Sequence, residues 1–583
     1  MIRRTLRWLL RVIAILIVLG VISHIVNWWS HRVAPGSVLE LALKGPVIER
    51  GTDGWRGLVS DDQTPLNDAR RALHEAAADP RIVGLAIRIT DPEMEFAQAQ
   101  ELSALIHDFA AHHKWTTAYL ESAGDFGSGN LPYLVASAAG KVSMMPEGEI
   151  NLMGVGMQEL FARGLLDKVG IRPNFAAIGK YKSAANIFTE KDFTPGQREE
   201  DEALAGGLFD QLVATAASER HLEAAQIRAL IDQAPLSAKA GLKARLIDRI
   251  EYGDQFTDRV KNYGGHDHTI IEYADYRRVS LLPHFGPHDR LAVIYADGAI
   301  QRGQGGFDPV LSPGGNAIGS DDMVEALDQA RDDDSVRAVV LRINSPGGSV
   351  IASELIRRSA ELLAKKKPLV VSMSGYAASG GYWIAMPAEK IFAEPATITG
   401  SIGVLGGKFN IAPLMNSIGV NSAAIAHGAN ATMFDAFSDF TPAQQQQFHD
   451  QILGETYQHF VNLVADGRGL TPARVDQIAQ GRVWTGADAI KLKLVDGMGG
   501  LDEAIKAARE LAKVPEDTKL GLLELPAPPG LLSSLVKGKV GAAGALGAGV
   551  SAQLRELLWM FDAAGGARGG WLRAVLCPVA PAV

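Results

Sequence analysis

Two stretches of this chain are near-copies of each other, about 250 residues apart. LAIRITDPE (Leu85 to Glu93) matches VVLRINSPG (Val339 to Gly347) at an offset of 254. Downstream, Tyr133, Ala136, Lys141, Pro146 and Gly154 match Tyr382, Ala385, Lys390, Pro395 and Gly403 at 249. DFTP then recurs at Asp192 to Pro195 and at Asp439 to Pro442, at 247. Small loop deletions after a tandem duplication leave this slow drift. A period of this length means two whole domains and excludes a solenoid of short repeats.

The copies have lost complementary groups. Ser379, in the small-residue run SGYAASGGYW (Ser374 to Trp383), falls opposite Asn130. Lys182, in IGKYKSAAN (Ile178 to Asn186), falls opposite Ala431. One copy keeps a serine without the lysine and the other a lysine without the serine, so the expectation is a single active site shared between two domains. Asn130 and Ala431 read as relics of lost half-sites.

The chain has 583 residues, and the repeat divides most of it into two units each large enough for its own core. Its net charge of −9, with no long basic run beyond the N-terminus, gives nucleic-acid binding no electrostatic support. The single cysteine, Cys577, cannot close an intramolecular disulfide. Arg3, Arg4, Arg7 and Arg11 precede the span from Val12 to Trp29, whose only polar interruptions are Ser23, His24 and Asn27. About 18 such residues reach across a bilayer core, and the closing Trp28 and Trp29 suit its interface. SHRVAPG, which follows, is a poor cleavage site. Residues 1–36 are therefore expected to be a basic cytoplasmic stub and an uncleaved transmembrane anchor. The body would lie outside the cytoplasm, in the periplasm of a bacterial cell with a single-pass inner-membrane protein.

In the second copy, LAVIYA (Leu291 to Ala296), VRAVVLRI (Val336 to Ile343) and LVVSM (Leu369 to Met373) are short apolar, β-branched runs. Between them lie MVEALDQARDD and SELIRRSAELLAKK, with Val324, Leu327 and Ala330 spaced helically in one and Leu355, Ile356, Ala360, Leu362 and Leu363 assigned to one side of the other. Strand, helix, strand, helix, strand is the pattern of an α/β fold with parallel sheets covered by helices. The first copy repeats it with VGLAIRI and WTTAYLE. Expected units are a first domain over 37–261, a linker over 262–289, a second domain over 290–514, and a Gly/Ala-rich, partly disordered tail over 515–583.

GxxxxGK(S/T), HExxH and paired CxxC are absent, and no GxSxG surrounds Ser379, so no cofactor and no metal is expected. What remains is NSPGGSV (Asn344 to Val350), AASGGYW (Ala377 to Trp383), TGSIGV (Thr399 to Val404) and YKSA (Tyr181 to Ala184) in a duplicated chain. Together these resemble the long form of the signal peptide peptidase A family, also called protease IV, over roughly Ser37 to Val514. The resemblance implies a tandem Clp protease/crotonase-like fold and a Ser/Lys-dyad serine protease. Carried over by motif, Ser379 would be the nucleophile, Lys182 the general base and Ser401 the hydroxyl that positions the lysine. Backbone N–H groups at Gly347 or Gly348 and at Gly380 would form the oxyanion hole. It further implies a homotetramer acting on signal-peptide remnants and other apolar or unfolded peptides.

Such residue types suit that chemistry. A serine hydroxyl is a weak nucleophile until a base takes its proton. Lysine serves only when neutral, so its pKa near 10.4 must fall by about two units, which burial achieves. Lys180, two residues from Lys182, is the obvious decoy. A crotonase-like acyl-CoA enzyme would share the fold, but it has no use for a Ser/Lys pair. A catalytically dead membrane scaffold is the non-enzyme alternative.

Overall fold

The computed structural model describes residues 33–51, 63–125, 127–280, 289–307, 316–515 and 518–526. Two sheets, the first parallel and the second parallel except for the antiparallel outer strand Val483–Thr485, follow the two copies, each with helices packed against it. In the first, the strand order is Ile270–Glu272, Ser37–Ile48, Ile82–Glu93, Trp115–Leu120, Lys141–Met144, Arg249–Ile250, parallel throughout. In the second, Gly521–Leu525, Arg290–Asp297, Val336–Ser345 and Leu369–Ala378 lie side by side in parallel. Leu369–Ala378 then pairs with both Lys390–Ala393 and Ile398–Gly400. Central strands buried on both faces explain the unbroken apolar runs in the sequence: Ala338 to Leu341 are all 1% exposed or less.

The repeated DFTP motif is a helix start. Thr194 caps Pro195–Arg220 by accepting Gln197 N–H at 3.2 Å, Thr441 caps Pro442–Gln447 the same way, and proline occupies the first turn of each. In the Val350–Ala364 helix, Ala352, Ile356, Ala360 and Leu363 face the core. Leu355 does not: it is 47% exposed, because the stripe that touches the sheet runs through Ala352 and Ile356, one position to its side.

Two boundaries differ from those expected. The segment 262–289 is not only a linker, since Ile270–Glu272 forms the outer strand of the first sheet and Tyr273–Ser280 is helical. The tail segment likewise contributes Gly521–Leu525 as the outer strand of the second sheet, pairing with Arg290–Asp297. Both strands are three to five residues long and close equivalent edges. The expected anchor, residues 12–29, and the tail from 527 onward lie outside the described residues. Among those described, no helix is long and apolar enough to cross a membrane.

The copies are joined by charge and by backbone. Arg342, 1% exposed on the central Val336–Ser345 strand, donates to Glu49 at 2.7 Å and Glu101 at 2.5 Å, both from the first copy, and to Ser372 and Ser374. Arg70 reaches Asp502 at 2.7 Å. A two-stranded antiparallel ribbon, Arg172–Ile178 from the first copy with Val404–Asn410 from the second, spans the junction, with Ile178 opposite Val404. That ribbon leads at Ile178 into the turn that carries Lys182.

Candidate active site

Ser379 follows the Leu369–Ala378 strand and precedes the Gly380–Ala385 helix. Its backbone, at φ 52 and ψ −116, lies where a non-glycine residue seldom sits. Such a corner costs about 1–3 kcal/mol, and surrounding bonds must hold it. Here Ser379 N–H donates to Gly400 O at 2.9 Å. The parallel register sets Ala378 beside Gly400, so Ser379 and Ser401 leave the sheet side by side, Ser401 also at positive φ.

Lys182 arrives from the other copy. After the ribbon strand ends at Ile178, the chain turns; Tyr181 N–H donates to Gln480 O at 2.8 Å and Lys182 N–H to Gly179 O at 3.2 Å. Gly481 allows this approach: a Cβ there would lie 2.5 Å from Lys182 N. The amine sits 3.0 Å from Ser379 Oγ, 2.9 Å from Ser401 Oγ and 3.1 Å from Ser401 O. Although the residue keeps partial exposure, desolvation of its ammonium pushes the pKa down to about 8, with Glu200 opposing. An amine so placed can take the serine proton at mildly alkaline pH.

The PGG loop adjoins the serine. Gly347 has φ 101, and a Cβ on it would lie 2.9 Å from Ser379 Cβ and 2.6 Å from Gly380 N. Its own N–H is committed to Ser345 Oγ at 3.1 Å, so Gly347 is not an available oxyanion donor in this geometry. Gly348 N–H and Gly380 N–H have no acceptor among the described residues, and a Cβ on Gly380 would be 3.2 Å from Gly348 N. Two unpaired amides beside a serine can bind developing negative charge.

Of the residues singled out by sequence, Lys182, Ser379, Ser401, Gly348 and Gly380 converge. Lys180 does not, because it points outward and pairs with Glu199 at 2.6 Å. Asn130 is more than a relic: fully buried, it accepts Met153 N–H at 3.0 Å and donates to Gly154 O at 2.7 Å. Ser345, which fixes the PGG loop, and Glu200, buried near the lysine, were not anticipated. A polar residue preceding PGG was a usable hint for the first; Glu200 looks in sequence like any solvated helix charge.

The profile of Peptidase family S49 matches this chain twice, at residues 120–265 and 361–515. The chain belongs to that family, and it is a serine protease. It is similar to Protease 4 of Salmonella typhi, 34% identical over 522 residues, covering 84% of this chain and 80% of that protein. Serine protease SPPA, chloroplastic, of Arabidopsis thaliana is 31% identical over 514 residues, covering 87% and 74% respectively. Protease 4 of Haemophilus influenzae is 31% identical over 470 residues, covering 77% and 73%. Both family matches fall one to each copy, in keeping with the duplicated form of these proteases.

Proposed function

We propose that the chain is a membrane-anchored endopeptidase in which Ser379 is the nucleophile, Lys182 the general base and Ser401 the hydroxyl that orients the lysine. Its substrates would be cleaved signal peptides and other apolar or unfolded chains. The observation that carries this reading is the 3.0 Å contact between Lys182 Nζ and Ser379 Oγ across the two copies. Neutral Lys182 takes the Ser379 proton as Oγ attacks the scissile carbonyl. The oxyanion is received by Gly348 and Gly380 N–H, and the ammonium returns its proton to the leaving amine. Water then hydrolyses the acyl-serine by the same route. No metal enters these steps.

Substrate class and location rest on the apolar span from Val12 to Trp29, which would tether the body on the periplasmic side of the inner membrane, next to membrane-derived peptides. Assembly of several copies, a tetramer by family resemblance, is supported by pseudo-symmetry. The counterparts of the ribbon strands, residues 155–161 and 421–427, are not strands within one chain. Near them Met153, Ile418, Val420 and Ile425 are 52%, 65%, 49% and 96% exposed. An equivalent ribbon between neighbouring chains would cover them.

A fluorophosphonate probe tests the reading. Labelling should map to Ser379 and vanish in Ser379→Ala; labelling elsewhere, or none, overturns the dyad. The same labelling on membrane and soluble fractions, followed by sizing of detergent-extracted protein, tests the anchor and the assembly. Labelled protein in the soluble fraction, or a monomer, overturns those parts.

A further inference from the structure

Two adjacent carboxylates in the first turns of the Pro195–Arg220 helix face opposite ways. Glu199 lies outward and accepts from Lys180 at 2.6 Å, Tyr181 Oη at 2.8 Å and Arg482 at 3.2 Å. Glu200 points inward, is 3% exposed, and accepts Val483 N–H at 2.5 Å. Val483 belongs to the second copy, and the residues before it wrap the lysine. Gln480 O takes Tyr181 N–H, Gly481 lies flat on Lys182, and Arg482 O takes Ser401 N–H at 2.8 Å. One buried carboxyl on the first copy therefore fastens the strap that aligns Ser401 and closes over Lys182.

We infer that Glu200 is a positioning residue for this reaction: it clasps, across the copies, the 480–483 strap that aligns Ser401 and closes over Lys182. The inference rests on Lys182 being the base. Burial pushes the Glu200 carboxyl up to about 8, Asp201 adding to this while the Val483 N–H, Arg482 and Lys182 oppose it. The charged and titratable groups facing it are thus Lys182, Arg482 and Asp201, and Asp201 in turn raises Glu159. When Glu200 is ionised it favours the ammonium form of Lys182; when it is neutral it permits the amine. Since the base must be neutral to act, removing the charge should shift activity toward lower pH.

Glu200→Gln keeps an acceptor for Val483 N–H and removes the charge. The acid limb of its kcat/KM profile on an apolar peptide should move down by about half a pH unit or more, with plateau kcat within about threefold of wild type. Glu200→Ala removes both and should also lower kcat by about tenfold or more at little change in KM, because the strap is released. An unmoved or upward-moving limb in Glu200→Gln overturns the inference, even where Glu200→Ala fails to fold. Failure of the underlying dyad has a different signature: Lys182→Ala would then retain activity.

Discussion

The two copies keep the same scaffold bonds and differ in almost everything chemical. Tyr133 Oη donates to Leu246 O at 2.9 Å, as Tyr382 Oη does to Leu494 O at 2.7 Å. Lys114 bonds the carbonyls of Ala76 and Asp79; Lys367 bonds those of Ala330 and Asp333. Arg220 pairs with Asp248 and Arg468 with Asp496, and each aspartate also receives a strand amide, Val142 or Ile391. At the reacting corner the equivalence ends. Ser379 and Ser401 correspond, at an offset of 249, to Asn130 and Leu152, both fully buried. Bonds that hold a helix on a sheet are needed twice, whereas a site built across the junction is needed once. Either copy could then lose half of it.

The sharpest break of this asymmetry is removal of one half-site at a time. Ser379→Ala should lower peptide hydrolysis by at least about a thousandfold with fold and assembly intact, and Lys182→Ala should be as damaging. The double variant should be no worse than either single one, since the pair acts as a unit. Lys180→Ala, which removes an exposed ion pair, should be mild. Turnover on an apolar peptide, with circular dichroism as the folding control, checks all four. A Lys180 variant more severe than the Lys182 one would reassign the base.

A smaller effect separates two arginines at matched positions. Arg88 lies in LAIRI and Arg342 in VVLRI, yet Arg88 pairs with Glu40 and Thr257 of its own copy while resting on Tyr119 and Phe256. Arg342 is instead enclosed between Glu49 and Glu101 of the other copy. Glu49 is held below its ordinary pKa: burial opposes this, but the Arg342 charge and hydrogen bonds outweigh it. Arg342→Ala would strand two buried carboxylates and should destabilise by about 3–5 kcal/mol. Arg88→Ala should cost about 1 kcal/mol. Urea unfolding of both variants checks the difference; equal losses would mean that the junction draws no special stability from Arg342.

These contrasts show what a sequence can reveal here. The repeat, the parallel α/β layers and the pairing of Ser379 with Lys182 follow from local pattern and matched offsets. The structural contacts that join the copies away from the site leave no such trace. Glu49 and Arg342 are 293 residues apart, and nothing near either announces the other. Leu355 falls on the apolar side of its helix by spacing, yet spacing alone leaves the stripe uncertain by one position, and only the sheet beneath decides. The closing strands Ile270–Glu272 and Gly521–Leu525 are too short to carry an alternation, and lie in stretches whose composition resembles linker and tail.

Asn130 gives an effect smaller than that of Arg342 and the most direct test of whether the first copy is a spent half-site or a finished structural corner. Its side chain satisfies Met153 N–H and Gly154 O inside the core. Asn130→Ser shortens that reach and should cost about 1–3 kcal/mol, the penalty of leaving buried partners unsatisfied. It should restore no hydrolysis in a Ser379→Ala background. Leu152 stands where Ser401 would be needed, and Ala431, opposite Lys182, sits on an exposed turn with no amine to offer. Thermal unfolding and peptide turnover of the two variants decide it: regained turnover would show that the corner at residue 130 still finds a usable base, and an unchanged midpoint would return Asn130 to the status of a relic.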